Sequence, residues 1–284
     1  MMTAQGTLAE RLGHKPDAKL LIVNCDDLGS SHSANRAIEA SLRKGFGSSA
    51  TLMVPCPWAR EAAARCKDLD IGVHLTLTAE YPGYRWRSLT GAKSLHDADG
   101  FLPATTAAVY AKADLGHVER ECRAQVEQAL AWGVDVTHLD AHMGTMQTDP
   151  RYFVIYVKLA AEFRLPLRMV GQSQDERLGF DCRGRSTREG IVFPDRFISP
   201  WPRLTREVFR ESLPHLKPGV TEIYLHPVED GPELRGYDPT HPDLRAGDST
   251  CLFDPELKGM IEENSIQLIS FRPLRELQRS NSHQ

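Results

Sequence analysis

The stretch Leu20-Leu21-Ile22-Val23-Asn24-Cys25-Asp26-Asp27-Leu28-Gly29 decides how this chain is read. Four consecutive aliphatic residues are the mark of a strand buried on both faces, and the two carboxylates and the glycine end it in a turn. The same pattern recurs along the chain. Residues 50–54 form a second aliphatic run, stopped by Pro55 and Pro57. Residues 71–77 are a third and carry His74. Residues 136–140 are a fourth, 166–170 a short fifth, 221–225 a sixth that runs into His226-Pro227, and 266–270 a last. Helical periodicity separates them at 34–43, 58–66, 115–132, 152–163, 206–213 and 255–264. Strand and helix alternate almost throughout. The pattern predicts an α/β fold, an irregular (β/α) barrel of about seven units in one domain spanning residues 19–284. An open doubly wound sheet is the competing architecture, but no glycine-rich phosphate loop follows any strand. Residues 1–18 are polar and read as a flexible N-terminal extension.

Composition removes several classes of function. A formal charge of −4 argues against nucleic-acid binding, which would need a basic face. No run approaches the roughly 20 apolar residues of a membrane helix, and no basic amphipathic segment suits a membrane surface. Six cysteines are scattered without CxxC spacing, which predicts free thiols and a cytoplasmic protein. A homodimer is compatible with the sequence and not required by it. The expected partner is a small molecule.

The chemistry lies at the strand ends. Asp26 and Asp27 are adjacent, and two carboxylates sharing a site need a cation or hydrogen bonds to ionise together. One bound to a metal and the other acting as general base is a natural division. The plainer reading makes Asp27 an N-cap for the following helix. His74 sits in an apolar strand, where a lone histidine is more often a core residue than a ligand. His138, Asp140 and His142 are spaced i, i+2, i+4, which puts all three on one face of an extended strand. His226 precedes a proline at another strand end. Catalytic residues of such barrels gather at one rim, so four strand ends with this chemistry point to a mononuclear metal site and hydrolysis by an activated water. Arg168 is the best single candidate for an anion contact. Two irregular stretches, 78–103 and 229–248, read as substrate-binding loops, with Tyr81, Tyr84 and Trp86 offering aromatic faces.

Asn24-Cys25-Asp26-Asp27-Leu28-Gly29, Asn35-Arg36-Ala37-Ile38, Gly72-Val73-His74-Leu75-Thr76-Leu77-Thr78, Thr137-His138-Leu139-Asp140-Ala141-His142 and Leu225-His226-Pro227 together resemble the YdjC-like carbohydrate deacetylases, the ChbG/HpnK group. The resemblance runs in order over more than nine-tenths of the chain. It departs from the family where Met143-Gly144-Thr145-Met146 follows the HLDxH motif and where Asp-Asp-Leu-Gly replaces Asp-Asp-Phe-Gly.

The resemblance implies an irregular barrel that removes an N-acetyl group from an amino sugar with the help of one divalent ion. By ligand type this is Mg2+ or Zn2+, with Mn2+ admissible. Asp27, His74 and His142 match the family's metal ligands and Asp26 its catalytic base. His226 matches a proton donor or orienter. His138 and Asp140 match supporting positions, with Arg168 and Trp86 as further supporting or substrate contacts. Two other readings fit the same residues. One is another mononuclear or binuclear metallohydrolase, a phosphoesterase or amide hydrolase. The other is a non-catalytic carbohydrate-binding protein on this fold.

Overall fold

The structure is a computed structural model that describes residues 6–281. Its strands are β1 (Lys19–Leu28), β2 (Ser49–Leu52), β3 (Ile71–Leu75), β4 (Leu139–Ala141), β5 (Arg196–Ile198), β6 (Gly219–Leu225) and β7 (Ile266–Leu268). They lie in the order β4-β3-β2-β1-β6-β5, with β7 against the first residues of β1, and every pairing is parallel. The sheet curls. Leu167 forms a single parallel bridge with Leu139 and donates its N–H to Val192 O, just ahead of β5. Its neighbour Arg168 reaches across the interior to Glu222 on β6 and Asp26 on β1. The result is a curled, barrel-like sheet of seven strands, surrounded by helices.

Strand alternation sorts the side chains into two sets. Leu21, Val23, Ile223, Val73 and Leu139 face outward into the main core beneath the helices. Leu20, Ile22 and Val220 face inward and form a floor with Leu8 and Ala9 of the helix Leu8–Arg11 and with Phe271 and Leu274 from the C-terminal segment. Part of the expected N-terminal extension therefore packs as a plug under the barrel; residues 1–5 of it lie outside the described residues. Above the floor the inward positions become polar: Asn24, Asp26, His74, Asp140 and Glu222.

Several expectations change. The strand at 166–170 reduces to the one bridge at Leu167. The span 171–203, polar and ambiguous in sequence, holds the helices Gln172–Leu178 and Cys182–Arg188 and all of β5. The loop expected at 229–248 is largely helical, Pro232–Tyr237 and Pro242–Cys251. The second of these buries Arg245, Asp248 and Cys251, so its inner face is mostly polar and leaves no apolar stripe to read. Asp27 is not an N-cap: the hydroxyl of Ser31 caps the helix His32–Lys44, accepting from Ala34 N. Gly29 has φ +92°, and a Cβ there would lie 2.9 Å from Ala59 Cα, so the turn after β1 requires glycine. All six cysteines are free and buried. Among the described residues no helix is long and apolar enough to cross a membrane.

Gly72 tests the floor. A Cβ there would lie 2.5 Å from His138 Nδ1 and 2.7 Å from its carbonyl oxygen. The Gly72→Ala variant should lose about 1–3 kcal/mol of stability by overpacking, read from urea unfolding. A wild-type midpoint would show that the His138 layer yields freely.

Candidate active site

Neighbouring strand residues normally face opposite ways, yet Asp26 and Asp27 both point into the barrel mouth. The register between β1 and β2 shifts between Cys25 and Leu28, and Asp27 has φ +66°. This bulge in a left-handed conformation turns the second carboxylate toward the first. Asp27 is 2 % exposed. Its Oδ2 accepts a hydrogen bond from Arg245 Nη1 at 2.8 Å. Its Oδ1 has no hydrogen-bond partner among the described residues. His74 Nε2, from β3, lies 3.4 Å from that orphan oxygen, and His142 Nδ1, just past β4, lies 3.3 Å from it.

The far nitrogen of each imidazole faces a carboxylate. His74 Nδ1 lies 2.8 Å from Asp140 Oδ2, close but poorly aligned for a hydrogen bond. His142 Nε2 is 3.0 Å from Glu80 Oε2. A histidine ligand backed by a carboxylate is the arrangement that fixes ring orientation and raises ligand basicity at metal centres. An unpartnered buried carboxylate oxygen between two such imidazoles is a donor set that fits one divalent cation.

The charges agree with this. Burial works against an ionised Asp27, but His226, His142, His74 and Arg245 hold it well below the usual carboxylate range. Burial also works against a charged His74. Asp140 and Asp27 outweigh it and lift the imidazole to about 9. His142 rises to about 10, with Glu80 and Asp27 overcoming burial. Without a cation, protons hold the two rings against the carboxylates.

Asp26 stands beside this cluster and is held separately. Arg168 donates to both of its oxygens, Nη1 to Oδ2 at 2.6 Å and Nη2 to Oδ1 at 2.8 Å, and Asn24 Nδ2 donates to Oδ1 at 2.8 Å. Arg168 also donates Nε to Glu222 Oε1 at 2.7 Å and pairs with Asp140. Its guanidinium lies 5.4 Å from the ring of Phe197 and 4.9 Å from that of Tyr224. The expected anion contact at Arg168 is therefore wholly committed to internal carboxylates.

His226 follows β6. Its ring meets Trp201 and Tyr224 edge-on at 4.9 and 5.3 Å, and its backbone N–H donates to Asp248 Oδ2 at 2.8 Å. Burial pushes its pKa down to about 4, so a neutral imidazole faces the site, with Nδ1 unpartnered among the described residues. His138 lies lower. It stacks on Phe271 at 3.7 Å, bonds Thr137 Oγ1, and belongs to the floor rather than to the mouth. Trp86 is buried against Tyr81, Tyr84 and His142, and its Nε1 donates to Thr78 O. It backs His142 and does not line the cavity. The cavity above the cluster measures about 660 Å³, and Tyr81, Phe197, Trp201 and Tyr224 form its aromatic wall. Glu80, Trp201 and Arg245 are among the contributors that the sequence reading did not place in the site. Glu80 and Trp201 sit in stretches without periodicity, and Arg245 lies in what read as a loop.

Fold and cluster together define a barrel enzyme with a candidate cation site at the carboxyl ends of its strands. Residues 20–263 match the YdjC-like protein family, and the chain belongs to it. It is 37% identical over 276 residues to a carbohydrate deacetylase of Thermus thermophilus, covering 95% of this chain and 98% of the relative. It is 32% identical over 256 residues to a carbohydrate deacetylase of Geobacillus stearothermophilus, covering 88% and 96%. Among solved structures, a protein of Enterococcus faecalis V583 with a provisional role in cellobiose-phosphate cleavage superposes with a TM-score of 0.79. The two share 24% identity over 90% of this chain and 99% of the other, a likeness of fold. The chain is an enzyme of this family.

The raised imidazoles set a pH dependence. Free histidine titrates near 6.5, so the folded chain keeps protons on His74 and His142 that the unfolded chain loses. Their stabilisation of the metal-free protein is complete below about pH 6.5 and disappears as pH rises through 9 and 10. The urea midpoint of chelator-treated protein should fall from pH 7 to pH 10, and fall less in His142→Gln. Equal slopes in the two proteins would contradict these shifts.

Proposed function

We propose that this chain is a metal-dependent carbohydrate deacetylase that removes an N-acetyl group from an amino sugar. The observation that carries the reading is Asp27 Oδ1, buried and unpartnered, with imidazole nitrogens of His74 and His142 at 3.4 and 3.3 Å. The names of the relatives supply the substrate class, and the donor set supplies the metal.

A divalent ion held by Asp27, His74 and His142 would activate a water and polarise an amide carbonyl. The chain does the remaining work. Asp26 lines the cavity next to this cluster and takes the proton of the attacking water as general base. Two donors from Arg168 and one from Asn24 fix the carboxylate plane, so Asp26 spends nothing on orientation during the reaction. His226 starts neutral and reaches the leaving nitrogen as a donor only after gaining a proton within the site. Asp140 and Glu80 set the two ligand imidazoles from behind. Acetate and a free amino sugar are the products. The six free cysteines suit a reducing compartment, and the proposal places the enzyme in the cytoplasm.

The competing readings have less support. A phosphoesterase needs unpaired cationic side chains for the phosphoryl group, and the two arginines lining the cavity are already paired with buried carboxylates. A binding protein has no use for a second carboxylate held beside a cation site.

Chelation should abolish release of acetate from N-acetylglucosamine oligomers, and a divalent ion should restore it. Asp27→Ala should fail to bind the ion. Asp26→Asn should bind it with turnover reduced roughly 100-fold or more, the scale of general-base help. Undiminished turnover in Asp26→Asn sinks the assignment of the base. Glu80→Gln removes the charge behind His142 and should weaken ion binding by about 10- to 100-fold in calorimetry. Wild-type affinity would leave Glu80 without that role.

A further inference from the structure

The cavity mouth contains two guanidinium groups, and neither is free. Arg168 is engaged with Asp26, Asp140 and Glu222. Arg245 donates Nε to Asp238 Oδ2 at 2.9 Å and Nη1 to Asp27 Oδ2 at 2.8 Å. The carboxylates they answer outnumber them, and Glu80 adds another at the rim, its side chain 23% exposed. Among the described residues no lysine lines the cavity. A divalent ion at Asp27, His74 and His142 would cancel two of these negative charges and still leave the wall acidic. The rest of the polar lining is His241, beside Trp201, and the amide and hydroxyl groups of Gln147, Thr148, Gln174, Ser199 and Thr240.

We propose that this cavity selects its sugar by charge, accepting uncharged or amine-bearing acetamido sugars and rejecting those that carry phosphate, sulfate or carboxylate. The inference rests on the deacetylase reading and narrows its substrate class. A polyanionic substituent entering here is desolvated beside carboxylates, with no unpaired guanidinium or ammonium to receive it. Hydroxyls and acetamido groups find neutral partners on the same wall and ring faces at Tyr81 and Trp201. An ammonium on an already deacetylated neighbouring ring is attracted to the acidic surplus. The enzyme would then act after any phosphate has been removed from the sugar, and would tolerate partly deacetylated chains.

The test compares three acetamido disaccharides: the neutral compound, its 6-phosphate and a partly deacetylated compound with a free amine. The expected kcat/KM for the phosphorylated sugar is at least about 30-fold below the neutral one, with the amine-bearing sugar equal or better, the scale of uncompensated like charge at a binding site. Gln174→Arg, which places a cation in the lining, should narrow the gap between neutral and phosphorylated sugars. Equal turnover of the two, or an unchanged gap in Gln174→Arg, overturns the proposal. Binding of the same sugars to metal-loaded Asp26→Asn, followed by calorimetry, separates the two levels of inference. If no sugar is turned over by the wild type, the deacetylase reading fails, and the binding order still decides charge selection. Phosphorylated sugar bound as tightly as neutral sugar, or no sugar bound at all, overturns it.

Discussion

Arg168 is the interaction on which the barrel interior depends. Three carboxylates, Asp26, Asp140 and Glu222, project from three different strands into the barrel interior, each at most 2 % exposed. Each is expensive to keep ionised there, and together they repel. One guanidinium answers all three, and its planar fork matches Asp26 with two hydrogen bonds. The match is incomplete at Glu222, whose second oxygen has no hydrogen-bond partner among the described residues and whose pKa burial raises to about 7, against the pull of Arg168. Removing one partner from such a buried set typically costs about 3–5 kcal/mol, because the charges left behind are uncompensated. Stability and chemistry share this residue. The same guanidinium that makes the polar interior tolerable fixes the plane of the candidate base and, through Asp140, steadies His74.

The second constraint is the bulge at the end of β1. A regular strand would send Asp26 inward and Asp27 out beneath the helices. The left-handed residue at Asp27 reverses that, and a non-glycine residue in this conformation carries local strain. The strain is held by contacts on both sides. Arg245 fixes one carboxylate oxygen from a helix more than two hundred residues away in sequence, and Arg245 is itself fixed by Asp238. Asn35 accepts from the N–H of Gly29 at 2.7 Å and donates to Trp58 O, pinning the turn that follows. The Asn-Arg-Ala-Ile segment thus supports the bulge through Asn35 without entering the cavity.

The sequence was legible where chemistry and periodicity coincide. The aliphatic run before Asp26, the i, i+2, i+4 spacing of His138, Asp140 and His142, and the run before His226 each combine strand geometry with reactive side chains. The inward face of β4 follows directly from that spacing. It was less legible where a residue's role is set by what lies opposite. His138 and His142 share one face and one motif, yet a difference of four residues in depth makes the first a floor residue stacked on Phe271 and the second a candidate ligand. Trp86 reads as a sugar platform because loops of this composition often bind substrate, but its rings pack inward behind His142. Trp201 takes the cavity-facing place from a stretch with no pattern at all. Glu80 and Arg245 act by pairing with charges far away in sequence, and no local signal encodes such a pairing. The helix that carries Arg245 was hidden for the same reason, since its buried face is built from charged groups.

The arrangement also bears on how many ions the barrel could hold. Asp26, His74 and Asp140 form a second group whose ligand atoms approach one another as closely as those of Asp27, His74 and His142. By donor type alone both groups suit a cation, and two ions sharing His74 would be the plan of a binuclear hydrolase. The two groups differ in what already sits between their oxygens. The guanidinium of Arg168 lies against both Asp26 and Asp140, so a fixed positive charge fills the role a second ion would have. Between Asp27, His74 and His142 the described residues place no such group, and Asp27 Oδ1 makes no hydrogen bond among them. A covalently tethered cation cannot leave, exchange or bind a substrate oxygen. It therefore holds Asp26 and Asp140 together without a second ion and leaves Asp27, His74 and His142 as the candidate cation site, and the division of labour between Asp26 and Asp27 follows from where Arg168 reaches.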